Sequence, residues 1–244
     1  MTAKKLTESR NYLVVKDNNL IQKARFNLTA NQQKIIAYVV SMIKPSDTDF
    51  KKYEISVSDF CELCGISKEG FYSDFKNIID DLDAKSFWIK TEEKIFKFRW
   101  FLKAEYYYKQ GKVAVVLDDD IKKYLLDLQK NYTSYELHNI LALKSKYSIR
   151  LYELFKSYGF CKSKEFDIED FKDLLGCSAY CFRDFNRDIL VKAVDEINFY
   201  TDIDVSYESI TKGRKVVGIR FTIREKKGVA SYESYRAAIN ALNK

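Results

Sequence analysis

Arg183, Asn186 and Arg187 fall at helical spacing within Ala179-Tyr180-Cys181-Phe182-Arg183-Asp184-Phe185-Asn186-Arg187. A guanidinium can pair bidentately with guanine and an asparagine amide with adenine, so a helix presenting all three has the chemistry of base reading. Phe182, Phe185 and Ile189 share one face and are expected in the core, which leaves Tyr180, Arg183, Asn186 and Arg187 pointing outward. Ser178 is expected to cap this helix and leave its positive dipole end for a phosphate. The same residues also fit a plainer reading, a solvated face on which Arg183 and Arg187 answer Asp184 and Asp188. A second basic cluster, Lys212, Arg214 and Lys215, crowds a hairpin tip, and no acid interrupts the chain from Thr211 to Arg224. Such a tip can follow the phosphate backbone or enter a minor groove, or be an ordinary soluble turn.

Other chemistries lack their residues. His138 is the single histidine, which excludes a two-histidine metal nickase and an H-E-x-x-H protease. Gly65 and Gly70 have Walker A spacing but are followed by Phe71 and Tyr72; Gly213 and Gly218 are followed by Ile219 and Arg220. No G-x-S-x-G elbow occurs. Cys61-x-x-Cys64 fits one face of a short helix, where cysteine acts as a small core residue, and a zinc site would need Cys177 and Cys181 to meet this pair. Asp118-Asp119-Asp120 reads as a helix start rather than a metal site. The expectation is a protein with no cofactor, no metal and no enzymatic activity.

The elements that must position these residues are legible in the periodicities. A helix follows Asn27-Leu28-Thr29 with Ile35, Ile36, Val39, Val40 and Ile43 at helical spacing, and Pro45 ends it. Tyr53 to Val57 alternates as a strand, Ser58 is expected to cap a short helix, Gly65-Ile66-Ser67 turns, and a longer helix runs from about Lys68 to Ala84. Two hairpins follow, the second turning at Lys109-Gln110-Gly111-Lys112, and Asp118 is expected to open a helix to about Leu128. The second half has helical pattern over 134–143 and 148–160, a strand at 165–168, a short helix from Glu169, a turn at Gly176-Cys177-Ser178, a long helix over 179–199 and strands at 203–208 and 216–224.

The halves repeat one another. Asp59-Phe60-x-x-Leu63-x-Gly65-x-Ser67 recurs as Asp170-Phe171-x-x-Leu174-x-Gly176-x-Ser178. Short strand, short helix, turn, long helix and hairpin in that order describe a winged helix, so the expected fold is α+β with two tandem winged-helix domains. The 244 residues accommodate two such units, and 46% hydrophobic residues are enough to bury their cores. Expected boundaries are an N-terminal arm over 1–17, a first domain over 18–130, a second over 131–227 and a tail over 228–244 with a possible helix. The net charge of +7 permits a polyanionic partner without requiring one. No apolar run approaches a membrane span or a signal peptide, so no membrane is expected, the compartment is expected to be cytoplasmic, and the cysteines are expected to be reduced.

The first domain is chemically different from the second. Its long helix carries Asp80, Asp81 and Asp83, and its wing carries Glu92 and Glu93, so phosphate contacts through Lys68, Tyr72 and Lys76 are expected there rather than base reading. Phe101, Tyr106, Tyr107 and Tyr108 make its second hairpin aromatic, which suits either a protein interface or packing within the domain.

Four stretches carry a family resemblance: Asn18 to Ala24 with Leu28-Thr29, Asp59-Phe60 to Ser67, Lys146-Tyr147-Ser148-Ile149-Arg150-Leu151-Tyr152-Glu153-Leu154, and Asp170-Phe171 to Arg187. Over about residues 12–225 the chain resembles plasmid replication initiators of the Rep type, tandem winged-helix proteins that bind repeated origin sites called iterons. The resemblance implies base contacts mainly from the second domain, and a first domain that contacts DNA in monomers and pairs subunits in dimers. It further implies monomers that bind iterons in double-stranded DNA and help open the origin, and homodimers that bind an inverted repeat and repress the initiator's own gene. It implies recruitment of host replication proteins, including helicase and initiator, with no nucleotide cofactor. A tandem winged-helix transcriptional regulator would share the DNA surface without opening an origin.

Overall fold

The computed structural model describes residues 13–67, 71–91 and 93–226. The chain enters as strand β1 (Leu13–Asp17), and Asp17 caps helix α1 (Asn18–Lys23) by accepting from the Asn19 backbone amide at 2.7 Å. Strand β2 (Ala24–Arg25) leads to α2 (Ala30–Val40). Thr29 and Gln32 form a reciprocal capping box at the start of α2. Helix α2 is buried along almost its whole length, which makes it the central post of the molecule.

The first repeat unit is β3 (Tyr53–Ser56), α3 (Val57–Cys64), α4 (Phe71–Ala84), the wing strands β4 (Ser86–Lys90) and β5 (Ile95–Arg99), and a further hairpin of β6 (Phe101–Tyr107) and β7 (Lys112–Leu117). The chain continues through β8 (Tyr132–Glu136), α5 (Leu137–Ala142) and α6 (Lys146–Ser157), and the second repeat unit is β9 (Ser163–Asp167), α7 (Ile168–Leu174), α8 (Phe182–Phe185) continuing through one wide helical turn, Asn186–Leu190, into α9 (Val191–Tyr200), then β10 (Ile203–Lys212) and β11 (Lys215–Glu225). The strands form four antiparallel sheets in the orders β1-β8, β2-β4-β5, β3-β7-β6 and β10-β11-β9.

The turn glycines explain why the two halves match in sequence. Gly65 and Gly176 end the first helix of each unit at φ 65° and 68°, a conformation costly for any residue with a Cβ. In each unit the helix thereby closes before the chain turns into the long helix. Gly218 serves a different need, since a Cβ there would stand 2.9 Å from the Phe166 carbonyl oxygen and push β9 off the wing.

One continuous apolar core spans both units, from Phe60, Phe75 and Phe87 to Phe155, Phe171 and Phe221. Polar contacts also tie the segments before β3 to the second half of the chain. The Gln33 amide donates to the Lys146 carbonyl at 3.1 Å, the Lys146 ammonium to Asn27 at 2.9 Å, and the Arg25 guanidinium to Asp173 at 2.8 Å. At the centre the buried Lys16 ammonium lies 2.6 Å from the buried Glu153 carboxylate, which also accepts from the Tyr135 hydroxyl. Arg150, equally buried, donates to the Ala24 carbonyl at 2.6 Å and stacks 4.5 Å from the Phe26 ring centre.

Several expected elements differ. Residues 13–17, expected in a loose arm, form β1, because Val14 and Lys16 bury against β8. Residues 132–136, expected in part within a helix, are the partner strand. The helix expected from Asp118 is a single tight 3-10 segment, Asp119–Tyr124; Asp118 does cap it, but the backbone turns left-handed at Asp127 and Asn131. Ser56 rather than Ser58 caps α3, its hydroxyl accepting from the Asp59 amide at 3.3 Å. The expected C-terminal helix over 228–244 lies outside the described residues.

Candidate nucleic-acid interface

The second helix-turn-helix is braced from behind. Asp167 caps α7 by accepting from the Glu169 and Asp170 amides at 2.8 and 3.1 Å. The Lys172 ammonium, itself buried, holds the following turn by donating to the Tyr180 carbonyl at 3.1 Å. Phe185 and Ile189 are buried and Phe182 packs on the core, as their spacing requires, so the opposite face of α8 turns to solvent. Farther along, Glu196 on α9 accepts from the Lys144 and Ser145 backbone amides and the Ser148 hydroxyl, which locks the long helix against the start of α6.

The helix begins later than expected. Cys181 is the N-cap residue, and Ser178 and Tyr180 lie in the preceding turn, so Ser178 does not cap the helix. Tyr180 is 40% exposed beside the helix entrance rather than on the helix. Arg183 and Arg187 project into solvent, with side chains 83% and 63% exposed. Both are answered by neighbouring carboxylates: Arg187 reaches Asp188 through two contacts of 2.9 and 2.7 Å and Asp184 at 3.2 Å, and Arg183 lies 3.4 Å from Asp184. Asp188 holds the Arg187 guanidinium above its ordinary pKa, and the Cys181 thiol, ahead of the two arginines, holds the Asp184 carboxyl below its own. Exposed pairs of this kind contribute only about 0–1 kcal/mol, so a phosphate or a guanine edge can displace them at little cost.

Asn186 differs from its expected position. It is half-buried, and its side-chain oxygen accepts from the Tyr207 hydroxyl of β10 at 2.6 Å. Part of its capacity to read adenine is therefore spent on tying the helix to the wing. The long-range partner Tyr207 is not visible from helical spacing alone. Asn186 also opens the wide helical turn over Asn186–Leu190, a feature often found at functional positions. Tyr207→Phe is expected to leave folding intact within about 1 kcal/mol. It should free the asparagine and measurably change the base preference at one position, read by competition binding with single-base variants of the target.

The wing is a long, three-stranded sheet whose tip carries Lys212, Arg214 and Lys215, all exposed and, among the described residues, without an ion-pair partner. The basic residues farther down are not equally available. Arg220 is clamped between Glu165 and Glu208, both at 2.6 Å, and Lys226 donates to the Thr201 carbonyl at 2.8 Å. The tip thus groups three exposed cations without ion-pair partners among the described residues, while farther down β11 only Arg224 is similarly open. Replacing Lys212, Arg214 and Lys215 together by alanine is expected to weaken binding to all duplexes alike. It should also flatten the slope of log K against log salt by about 2 to 3, at roughly 0.9 for each phosphate that is no longer neutralised.

The first unit presents a different surface. Lys68 lies outside the described residues. Tyr72 packs on the core with its hydroxyl buried, so it does not face outward as expected. Lys76 pairs with Asp80 and lies 5.0 Å from the Tyr106 ring, with Tyr106 donating to the same carboxylate. Tyr72 and Lys76 therefore do not form an open basic face. Cys61 and Cys64 are buried along α3 as their spacing suggests, and Cys177 is buried while Cys181 is exposed.

Comparison with known proteins gives a consistent picture. Residues 13–156 match the family described as Initiator Replication protein, WH1, and residues 167–223 match Initiator Rep protein, WH2. A replication initiation protein of Escherichia coli is 26% identical over 204 residues, covering 78% of this chain, and the chain spans 64% of that relative's length. The crystal structure of the Pi initiator protein in complex with iteron DNA aligns with a TM-score of 0.73 at 20% identity, over 89% of this chain and 99% of that one.

Proposed function

This chain belongs to the initiator replication protein family, with the first and second winged-helix units in order, and from that premise we propose that it binds repeated origin sites in double-stranded DNA and starts plasmid replication. The observation that carries the reading is the pairing of an exposed, readily exchanged arginine face on α8 with an unpaired basic wing tip on the same unit, tied together through Asn186 and Tyr207. Arg183 and Arg187 discriminate bases, with Asn186 and Tyr180 at the edge of the same surface. Lys212, Arg214 and Lys215 follow the backbone and release counterions. Several chains on adjacent repeats would strain the duplex and ease melting of a neighbouring A·T-rich stretch. The chain performs no covalent step in this scheme.

The finer parts rest on the family resemblance. Monomers bind iterons, homodimers bind an inverted repeat and repress the gene, and host helicase and initiator proteins are recruited, all in the cytoplasm. Of the expected phosphate contacts in the first unit, Lys76 is the described residue whose ammonium lies near the surface. A transcriptional regulator would bind DNA equally well, so the test must ask for replication. The gene with its flanking DNA, joined to a resistance marker lacking any other origin, is introduced into a host. Stable transformants are expected with the wild-type gene and none with Arg183→Ala/Arg187→Ala. Specific binding without transformants would favour the regulator. Supercoiled DNA incubated with the protein and magnesium should stay closed; nicking would contradict the non-enzymatic scheme.

A further inference from the structure

Two buried polar atoms face one small space at the joint between the first winged-helix unit and α6. Trp100, at the corner between β5 and β6, is 2% exposed, and its indole Nε1–H has no hydrogen-bond acceptor among the described residues. The ring is not free to turn toward another partner. It stacks on Phe87 with 4.3 Å between ring centres and meets the Phe26 ring edge-on at 6.0 Å. Gln33 on α2 is also buried, and among the described residues its Oε1 has no donor. The other end of this amide fixes its orientation. Nε2 donates to the Leu28 carbonyl at 3.3 Å and to the Lys146 carbonyl at 3.1 Å, which uses both amide hydrogens. A flipped amide would set its oxygen against those two carbonyl oxygens. Trp100 and Gln33 line the same cavity, together with Phe26, Lys16, Arg150 and Glu153. The centre of a water-sized sphere can occupy about 10 Å³ of it, which is room for one molecule.

A buried donor and a buried acceptor open to one space require an occupant that both accepts and donates. An anion would meet the indole N–H, but also the Gln33 oxygen and the Glu153 carboxylate. A metal cation would meet those oxygens, but also the indole N–H, Lys16 and Arg150. An apolar occupant would satisfy neither atom, and the volume excludes a polar molecule much larger than water. We propose that the cavity holds one ordered water molecule, which accepts from Trp100 Nε1–H, donates to Gln33 Oε1 and keeps its second hydrogen for Glu153. A water bridging in this way is nearly as good as a direct hydrogen bond. It anchors the β5–β6 corner to α2, and through Glu153 to α6, where packing alone leaves two polar atoms unanswered. The site belongs to the free chain and does not depend on DNA binding.

The chain has two tryptophans, so nitrogen-15 labelling of the full chain gives two indole N–H signals, which Trp88→Phe assigns. The Trp100 indole proton is expected to show a direct rotating-frame Overhauser peak to water, opposite in sign to chemical exchange. Absence of that peak would overturn the proposal. Among the described residues no hydroxyl lines the cavity, but the Lys16 ammonium does, and its protons exchange with water. Gln33→Met separates the two sources, because it removes the acceptor and leaves Lys16 in place. The peak should be lost in this variant; an unchanged peak would overturn the bridge. Adding bromide in steps should leave the Trp100 indole shift where it is. A saturable shift would make the cavity an anion site and equally overturn the proposal. Should Gln33→Met fail to fold, a crystal structure of the wild-type chain that shows ordered water decides. Density at about 2.7–3.2 Å from both Trp100 Nε1 and Gln33 Oε1 is expected, and an empty cavity in such a map would overturn the proposal.

Discussion

Glu153→Gln is expected to lower the stability of the whole chain by about 3–5 kcal/mol, the usual cost of removing one partner from a buried ion pair. At roughly 2–4 °C per kcal/mol for a chain of this size, the melting temperature should fall by about 6–20 °C, read by near-ultraviolet circular dichroism. The reason is local. Among the described residues Glu153 is the carboxylate that faces both Lys16, at 2.6 Å, and the buried Arg150 nearby, and all three are shielded from bulk water. Neutralising it leaves two cations without an answering charge between β1, α6 and the loop after β2. Lys16→Met/Glu153→Gln should recover part of the loss, because the ammonium that needed a partner is then gone.

The same site sets an acid limit. Burial pushes the Glu153 carboxyl up, but the Lys16 charge and hydrogen bond, the Tyr135 hydroxyl and Arg150 outweigh it and hold the pKa below its ordinary value. A folded-state pKa depressed in this way contributes stability that is fully present above the unfolded value of about 4.3 and is lost as pH falls through the folded one. Wild-type stability from this group should therefore be level from pH 7 to about 5 and decline below about 4, and Glu153→Gln should flatten that decline. A decline of the same size in the variant would place the acid sensitivity elsewhere.

The second large effect is on recognition. Arg183→Ala/Arg187→Ala is expected to remove about 2–6 kcal/mol of discrimination between the target and shuffled DNA, at roughly 1–3 kcal/mol per bidentate contact. Binding to shuffled DNA should fall much less, because the wing tip still supplies backbone contacts. Stability should change by less than about 1 kcal/mol, since the two side chains are exposed and their ion pairs contribute little. A variant that loses affinity for both DNAs in proportion would show that these arginines position the protein and do not read bases.

The internal repeat makes the architecture legible in the sequence. Asp59-Phe60 and Asp170-Phe171 each place a phenylalanine in the core, and Gly65 and Gly176 each take the left-handed turn. Patterns that depend on distant partners are not legible. Leu13-Val14-Val15-Lys16 reads as part of a loose polar arm until β8, more than a hundred residues on, pairs with it, and a buried lysine is the opposite of what composition suggests. Tyr132–Glu136 falls next to a true helix, so its apolar residues pass for helical spacing. The helix entrance is misleading in sequence because Ser178 has the right side chain for a cap, whereas the backbone turns through Ser178–Tyr180 and caps at Cys181. On the surface proposed to meet DNA, helical spacing foretells the exposure of Arg183 and Arg187, and the hairpin turn that of Lys212, Arg214 and Lys215. They cannot find the Tyr207 hydroxyl on Asn186 or the burial of the Tyr72 hydroxyl, each of which depends on what packs beside the helix.

The most direct test is equilibrium binding of the full chain to fluorescent duplexes carrying the repeats that flank its own gene, and to the same duplexes shuffled, across a salt series from about 50 to 200 mM. The expected result is roughly a thousandfold preference or more for the repeats, with affinity for both falling steeply as salt rises. Equal binding to repeat and shuffled DNA at every salt concentration would contradict base reading by the second unit and, with it, the proposal that this chain is an origin-binding initiator.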